Sequence, residues 1–236
     1  TVNQPLTCSI SGSDGPLCPS STSNIYSAPV SANYAWSISG NGTIVGNTNT
    51  QSVSVTAGSG CNATFLLSLI ITDANGCIST CTKTVTVVDE TLPIITNAVA
   101  SLNQTLQCNN TEGITAALAL SPAATDNCTL APNKVLVSDV TTADANCTNA
   151  YVRVRTWNFT DGCGNTSADF VQTITVIDNT APVVTTTAAS LNQTLQCNNT
   201  EGITAALALS PAATDNCTLA PNKVLVSDVT TADANC

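Results

Sequence analysis

The chain has 236 residues, of which 43% are hydrophobic, 3% aromatic and 8% charged, with a formal net charge of −10. This acidic balance excludes a nucleic acid or an anionic membrane as the expected partner, because few cations are present to neutralise phosphates. The apolar fraction is too high for a disordered chain. No apolar run reaches the roughly 18–20 residues that a membrane-spanning helix requires, so we expect no membrane span in this segment.

The first strong structural signals are two apolar runs separated by a turn. "FLLSLIITDANGC" (65–77) and "STCTKTVTVVD" (79–89) predict two strands joined by a hairpin. Further along, "GITAALALSPAATDNC" (113–128) is rich in alanine, which favours a helix. Its apolar residues alternate, however, and Pro122 would interrupt a helix, so we predict a strand there.

The region that follows is more clearly β. "NKVLVSDV" (133–140) predicts one strand, and "YVRVRTWNFTD" (151–161) predicts another through its alternation of side chains. "SADFVQTITVID" (167–178) alternates in the same way, with Phe170, Gln172, Ile174 and Val176 on one face. "DGCGN" (161–165) lies between these strands and is typical of a hairpin turn. Trp36 and Trp157 are predicted to lie in the core.

A long exact repeat organises the chain. Ala100–Cys147 recurs letter for letter as Ala189–Cys236, at an offset of 89 residues. The same offset places "VVDETLPII" (87–95) on "VIDNTAPVV" (176–184), which predicts a domain boundary at each. We therefore expect three domains, 1–90, 91–179 and a truncated copy at 180–236, and we expect the chain to be a piece of a longer polypeptide.

Two stretches carry a resemblance to known repeat families. "SPAATDNC" and "YVRVRTWNFTDGCGNTSADFVQTITVIDNTAP" resemble hyalin-type (HYR-like) repeats, and their cysteine-bearing form resembles repeats of giant Bacteroidota surface adhesins, including gliding-motility adhesins. "YAWSISGNGTIVG" and "DANGCISTCTKTVTVVD" in residues 1–90 resemble polycystic-kidney-disease-type domains. The resemblance implies an all-β fold of tandem immunoglobulin-like β-sandwiches arranged end to end, at the extracellular cell surface.

The twelve cysteines are predicted to form disulfides, because the chain has no histidine and lacks the paired spacing of a zinc site. Disulfides indicate an oxidising, extracellular setting. The topology of the resembled sandwich implies pairs within each domain, with one cysteine of the first domain left over and Cys217 without a partner. The expected pairs are Cys108–Cys147, Cys128–Cys163, Cys197–Cys236, Cys18–Cys61, and Cys8 with either Cys81 or Cys77.

Four acidic residues form the candidate metal site. Asp89 and Glu90 lie at the first predicted boundary, and Asp126 and Asp161 lie on loops expected to face it. Four converging carboxylates would suit Ca²⁺, which binds oxygen ligands, and would stiffen the boundary. The alternative is that these acids are ordinary solvated turn residues, since Asp is common in turns. Calcium is the only candidate cofactor.

The sequence predicts a structural role without catalysis. There is no histidine to act as a general base, and the resemblance supplies no catalytic residues. A domain that is copied exactly is expected to add length to the protein. We therefore predict a stalk segment of an extracellular adhesin or surface filament. Its partners would be neighbouring repeats and an unidentified surface, glycan or protein ligand. The alternatives are a repeated glycan- or protein-binding module acting through avidity, and a self-assembling fibre subunit.

Overall fold

The computed structural model describes residues 5–147, 149–218 and 220–231. Its contacts define two compact units. Unit 1 contains the residues up to Val99 together with Pro122–Val137 and Thr156–Phe170. Unit 2 contains Ala100–Ser121, Ser138–Arg155 and the residues from Val171 onward. The domain limits 1–90, 91–179 and 180–236 stay a prediction.

Two three-stranded sheets form the sandwich of unit 1. The first sheet has the order β1-β4-β3 and the second has the order β2-β5-β6, with antiparallel neighbours throughout. The strands are β1 (Asn24–Ser27), β2 (Asn33–Gly40), β3 (Gly42–Val45), β4 (Ser52–Ala57), β5 (Ala63–Thr72) and β6 (Ile78–Val87).

The core of unit 1 lies between these sheets. In β5, the alternate residues Phe65, Leu67, Leu69 and Ile71 are fully or almost fully buried, because successive side chains of a strand point to opposite faces. The ring of Tyr26 in β1 meets Phe65 edge to face at 6.2 Å between centroids, and so contacts the opposite sheet. Each large side chain buried here contributes about 1.5–3 kcal/mol.

The predicted hairpin of two strands is present as β5 and β6, and its turn lies at residues 73–77. Asp73 Oδ1 accepts the backbone N–H of Asn75 at 2.8 Å and that of Cys77 at 2.9 Å. Gly76 adopts a left-handed conformation (φ 84°), which favours glycine. The Asp side chain thereby supplies the acceptors that a tight turn needs.

A four-stranded sheet follows in the order β10-β11-β12-β8, in which β8 is parallel to β12. Two further antiparallel pairs are short, β7 with β9 and β13 with β14. The strands are β7 (Ile94–Ile95), β8 (Gln104–Gln107), β9 (Ala124–Thr125), β10 (Asn133–Ala143), β11 (Tyr151–Thr160), β12 (Phe170–Ile177), β13 (Val183–Val184) and β14 (Ala213–Thr214).

The buried face of β12 is the predicted one, since Phe170, Gln172, Ile174 and Val176 are all buried. Trp157 is also buried, and its ring lies 6.4 Å from that of Phe170. Trp36 is 5% exposed, so the prediction of two core tryptophans is confirmed. The all-β class with sandwich-like sheets is confirmed as well.

The strand predicted within 113–128 is wrong, because the chain forms helix α1 (Thr111–Ala119) there. Asn110 caps the helix, its Oδ1 accepting the N–H of Gly113 at 2.9 Å. Pro122 lies beyond the end of the helix and does not interrupt it. Ile114, Ala117 and Leu118 share the packed face at helical spacing, so helix propensity prevails over the apparent alternation. The exact copy forms α2 (Thr200–Leu207) with the same cap from Asn199.

Two polar side chains fix α1 against the sheet. Gln172 is fully buried in β12, and its Nε2 donates to the carbonyls of Leu102 at 2.9 Å and Ala117 at 3.1 Å. Arg155 donates to Gln172 Oε1 at 3.2 Å and to the carbonyl of Leu118 at 2.9 Å. The last carbonyls of the helix thus receive donors, as a helix end requires.

Within the residues that the structure describes, neither helix is long and apolar enough to cross a membrane.

Candidate functional site

Three of the four predicted acidic residues meet in unit 1. Asp89 follows β6 and is 5% exposed, Asp126 follows β9, and Asp161 opens the turn between β11 and β12 and is 8% exposed. One carboxylate oxygen from each lies within 4.8 Å of the others. Glu90 is exposed and does not join this cluster among the described residues, because the chain turns its side chain outward after Asp89.

Local turns position two of these carboxylates. Asp126 Oδ2 accepts the backbone N–H groups of Cys128 at 2.9 Å and Thr129 at 2.8 Å. Asp161 Oδ1 accepts those of Cys163 and Asn165, both at 2.8 Å. Such side-chain-to-backbone bonds are the usual role of Asp in a turn, and they hold each carboxylate in one orientation.

Asn165 is a site residue that the sequence analysis missed. Its Nδ2 donates to Asp161 Oδ2 at 2.7 Å and to the backbone carbonyl of Asp89 at 2.8 Å. It therefore connects the hairpin of Asp161 to the segment of Asp89. The signal that could have revealed it is its place at the end of "DGCGN", two residues after a cysteine.

Two oxygens of the cluster are buried without a hydrogen-bond partner among the described residues, Asp89 Oδ2 and Asp126 Oδ1. A buried carboxylate oxygen without a partner is costly unless a cation or proton satisfies it. Two ligands on opposite sides of a Ca²⁺ ion lie about 4.8 Å apart, twice a bond of about 2.4 Å. The spacing and the unsatisfied oxygens therefore fit a hard cation held by Asp89, Asp126 and Asp161.

The environment shifts two pKa values in opposite directions. Burial raises the pKa of Asp89 above its ordinary value, and the negative charges of Asp126 and Asp161 add to the rise. Burial also acts to raise the pKa of Asp161, but hydrogen bonds from Asn165, Cys163 and Gly164 outweigh it and lower the pKa. The ionised form of Asp161 is thus favoured, whereas the ionised form of Asp89 is disfavoured by burial and by its two acidic neighbours.

Two disulfides, which we call the first disulfide cluster, flank these acids. Cys18–Cys128 and Cys61–Cys163 span 110 and 102 residues of sequence, with Cα–Cα distances of 5.1 and 5.6 Å. Each joins a loop of the predicted first domain to a loop of the predicted second domain, and all four cysteines lie in unit 1. The loops that carry Asp126 and Asp161 are thereby held covalently.

These bridges correct most of the predicted pairing. Cys18–Cys61 and Cys128–Cys163 are wrong, because each of these cysteines bonds across the predicted domain boundary. Cys108–Cys147 is also wrong, because Cys108 bonds to Cys217. Cys8–Cys81, one of the two partners left open for Cys8, is present. Among the described residues Cys77, Cys147 and Cys197 carry free thiols, and Cys236, the predicted partner of Cys197, lies outside the described residues.

A count of cysteines per predicted domain shows only that pairing within the domains is incomplete. The predicted domains contain five, four and three cysteines, so the first and the third each have one cysteine that cannot pair within its own domain. The repeat offset of 89 residues maps Cys128 onto Cys217, and Cys108 lies 90 residues after Cys18, one residue away from the same offset. The structure has Cys18–Cys128 and Cys108–Cys217, which is one pairing rule applied twice.

Part of the acidic cluster recurs in unit 2. Asp215, the copy of Asp126, accepts the N–H groups of Cys217 at 2.9 Å and Thr218 at 2.8 Å. Its Oδ2 is buried without a partner among the described residues, as Oδ1 of Asp126 is. Asp178, the copy of Asp89, accepts the N–H of Thr180 at 3.2 Å. Copies of two of the three acids of the cluster, Asp178 and Asp215, are therefore present in unit 2.

Comparison with known proteins shows that one part of the chain is similar to a described family. Residues 96–176 match the family model described as "HYR-like domain with 4 cysteines". This range contains Cys108, Cys128, Cys147 and Cys163. The resemblance to HYR-like repeats is therefore confirmed for this range. No curated protein matches the chain.

Two solved structures are similar to the chain at low identity. A protocadherin gammaB7 EC3-6 cis-dimer structure matches with 11% identity and a TM-score of 0.28, over 76% of this chain and 52% of that one. The human desmocollin-1 ectodomain matches with 13% identity and a TM-score of 0.24, over 64% of this chain and 36% of that one. The chain thus spans about half and about a third of their lengths. Both TM-scores are below 0.5, so the fold assignment rests on the sheets and core.

Proposed function

We propose that this chain is a structural segment of an extracellular stalk, belonging to a repetitive surface adhesin or filament and taking no part in catalysis. The observation that carries the proposal is the first disulfide cluster, which cross-links loops of successive predicted domains. Cys108–Cys217 applies the same pairing rule to the next repeat. Linkage of each repeat to the next suits a chain whose task is to span a distance.

The bridges also support an extracellular location, because disulfides persist in oxidising compartments. The HYR-like match at residues 96–176 agrees with this reading. The cysteine-bearing motifs Asp-Asn-Cys and Asp-x-Cys-Gly-Asn favour surface adhesins of the Bacteroidota type, including gliding-motility adhesins, as the parent class. A net charge of −10 would reduce association between neighbouring stalks.

Solution scattering tests the stalk. Strands of about eleven residues give each domain a length of about 35–40 Å, so end-to-end domains form a rod of roughly 100 Å. Such a rod has a radius of gyration of about 30 Å, whereas a compact protein of this size has about 18 Å. A measured value near 18 Å would refute the end-to-end arrangement and with it the stalk.

We further propose that Asp89, Asp126 and Asp161 bind Ca²⁺ and so stiffen the first disulfide cluster. The support is the pair of buried oxygens without partners among the described residues and the approach of one oxygen from each acid to within 4.8 Å of the others. Burial is the main cause of the raised pKa of Asp89, and a cation would offset the repulsion from Asp126 and Asp161 that adds to it. It would also join three separate segments of the chain through carboxylate oxygens.

Calorimetric titration with calcium tests this site. The chain should bind Ca²⁺ at about millimolar concentration or below, with a rise in melting temperature. Asp126→Asn should abolish both effects, whereas Glu90→Gln, which changes an exposed acid outside the cluster, should leave them intact. Absence of binding to the unmodified chain, or equal losses in both variants, would show that these acids serve only as turn residues.

A further inference from the structure

The surroundings of Cys147 repeat those of Cys61, although Cys147 has no disulfide partner among the described residues. Cys61 lies directly before β5, whose residue Ala63 is opposite Val87 at the end of β6. Cys147 lies shortly before β11, which neighbours β12 in the sheet. Both cysteines therefore stand at the start of a strand whose neighbour ends at the acidic segment.

The cysteine that accompanies each of them is also matched. Leu17 forms a parallel bridge with Val87, and the N–H of Val88 donates to the carbonyl of Leu17 at 3.0 Å. Gln107 is likewise parallel to Ile177, and the N–H of Cys108 donates to the carbonyl of Ile177 at 2.9 Å. Cys18 and Cys108 follow directly, and each is bonded to the cysteine of an Asp-Asn-Cys loop.

Among the residues that the structure describes, one component of the first disulfide cluster has no counterpart beside Cys147. In unit 1 the Asp-Gly-Cys-Gly-Asn hairpin (161–165) lies against Cys61 and bonds to it through Cys163. The N–H of Gly162 donates to Thr129 Oγ1 at 3.1 Å. Asn165 donates to the backbone carbonyl of Asp89. The hairpin is thus held in place by one disulfide and two hydrogen bonds.

The corresponding surface in unit 2 is an open cavity of about 610 Å³. It is lined by the loop of Cys147, by the start of β11 and by the end of β12 as far as Asp178. The cavity beside Cys61 measures about 270 Å³, and Gly162 and Cys163 of the hairpin form part of its wall. The two cavities thus correspond at Cys147 and Cys61 and at Asp178 and Asp89.

The groups that receive the hairpin in unit 1 have copies in unit 2. Thr218 is the copy of Thr129, and Asp178 is the copy of Asp89. The loop of Cys147 is ordered by Asp144, whose Oδ1 accepts the N–H groups of Asn146 at 2.8 Å and Cys147 at 3.0 Å. Asn149 donates to the carbonyl of Cys217, which connects this loop to the Asp-Asn-Cys loop. Cys147 is half-buried and needs no rearrangement to face the cavity.

We infer that the cavity beside Cys147 is a docking site for an Asp-Gly-Cys-Gly-Asn hairpin of another repeat of this kind, and that Cys147 forms a disulfide with the cysteine of that hairpin. Formation of the bond releases two protons and two electrons from the two thiols. A small-molecule disulfide accepts them and becomes two thiols. The inference deepens the proposed stalk function and rests on it, since the bond would link successive repeats.

A peptide probe tests the docking site on the whole chain. The probe is a backbone-cyclised peptide of residues 156–171, with its cysteine activated as a thiopyridyl mixed disulfide. The thiolate of Cys147 attacks the cysteine sulfur of the peptide, and thiopyridine leaves, so that no added oxidant is required. Cyclisation limits the ordering cost of an isolated hairpin.

Mass spectrometry then compares adducts at Cys147 with those at Cys77, an exposed thiol among the described residues. A small thiol reagent should favour Cys77. The hairpin peptide should raise the ratio of Cys147 to Cys77 adducts at least about tenfold over that of a scrambled peptide, because docking raises the local concentration. An unchanged ratio would overturn the inference.

A matched variant separates docking from reactivity. Thr218→Val removes the hydroxyl expected to receive the glycine N–H of the hairpin, and nearly preserves the size of the side chain. It should lower the adduct ratio several-fold while leaving labelling by the small reagent unchanged. No effect on the peptide would exclude the proposed geometry. If Cys147 captures the hairpin peptide but scattering shows the chain to be compact, only the stalk is refuted. If the chain is a rod but Cys147 does not capture the peptide, only the docking site is refuted.

Discussion

Removal of the Cys18–Cys128 bridge should be the most costly single perturbation of unit 1. The bridge closes 110 residues, for which the loop-entropy relation gives about 4.8 kcal/mol. Because Cys61–Cys163 remains, the path that the missing bridge would close shortens to roughly 80 residues, and the expected loss is about 4.5 kcal/mol. This is a large share of the roughly 5–15 kcal/mol by which domains are stable.

Equilibrium urea denaturation of the double variant Cys18→Ser, Cys128→Ser measures this loss, with fluorescence of the buried Trp36 as the signal. The midpoint should fall by about 1.5–2.3 M, if the slope is about 2–3 kcal/mol/M. Cys77→Ser is the matched control, because it removes an exposed thiol that closes no loop, and its effect should stay within about 0.5 kcal/mol. In reductant, all bridges are lost and the double variant should unfold together with the unmodified protein.

Two results would refute the reasoning. The variant Cys18→Ser should leave the thiol of Cys128 free and open to alkylation. Alkylation of Cys61 instead would indicate that Cys18 pairs with Cys61, within the predicted first domain. Trypsin acting on the urea-unfolded, unreduced chain should leave residues 1–83 linked to residues 84–134. Release of residues 1–83 as a separate fragment would show that no bridge crosses the predicted boundary.

Three further perturbations test the packing and charges of unit 2. Gln172→Leu should cost about 2–4 kcal/mol in urea denaturation, because the carbonyl of Ala117 and a second carbonyl lose their buried donor; a loss below 1 kcal/mol would contradict this. The hydrogen bond from Arg153, together with the positive charge of Arg153, holds the pKa of Asp139 below its usual value. This pair therefore stabilises the fold at pH values above the unfolded pKa of about 3.9. The stabilisation is lost as the pH falls through the folded pKa of Asp139. Asp139→Asn should therefore be less stable than the unmodified chain at pH 6 and equal to it in strong acid, and a constant difference would exclude the linkage. Asn110→Ala should cost about 1 kcal/mol through loss of the cap of α1, and an unchanged urea midpoint would argue against that cap.

The strands and turns could be predicted from the sequence because their determinants are local. Alternation in "FVQTITVI" specifies which side chains of β12 are buried, and Asp73 and Asp161 specify their turns through bonds to neighbouring N–H groups. The acidic cluster was also largely predictable, since Asp89, Asp126 and Asp161 end strands or open loops. Helix α1 was not, because alternation and helical spacing coincide over a short alanine-rich stretch.

Only the tertiary structure decided which cysteines pair and which acids converge. Cys18 and Cys128 are 110 residues apart, and no local pattern states that their loops meet. Glu90 adjoins Asp89 in sequence, yet successive side chains of an extended segment point in opposite directions, so only Asp89 enters the cluster. The partner of a side chain depends on long-range packing of the backbone, whereas its turn or strand depends on its immediate neighbours.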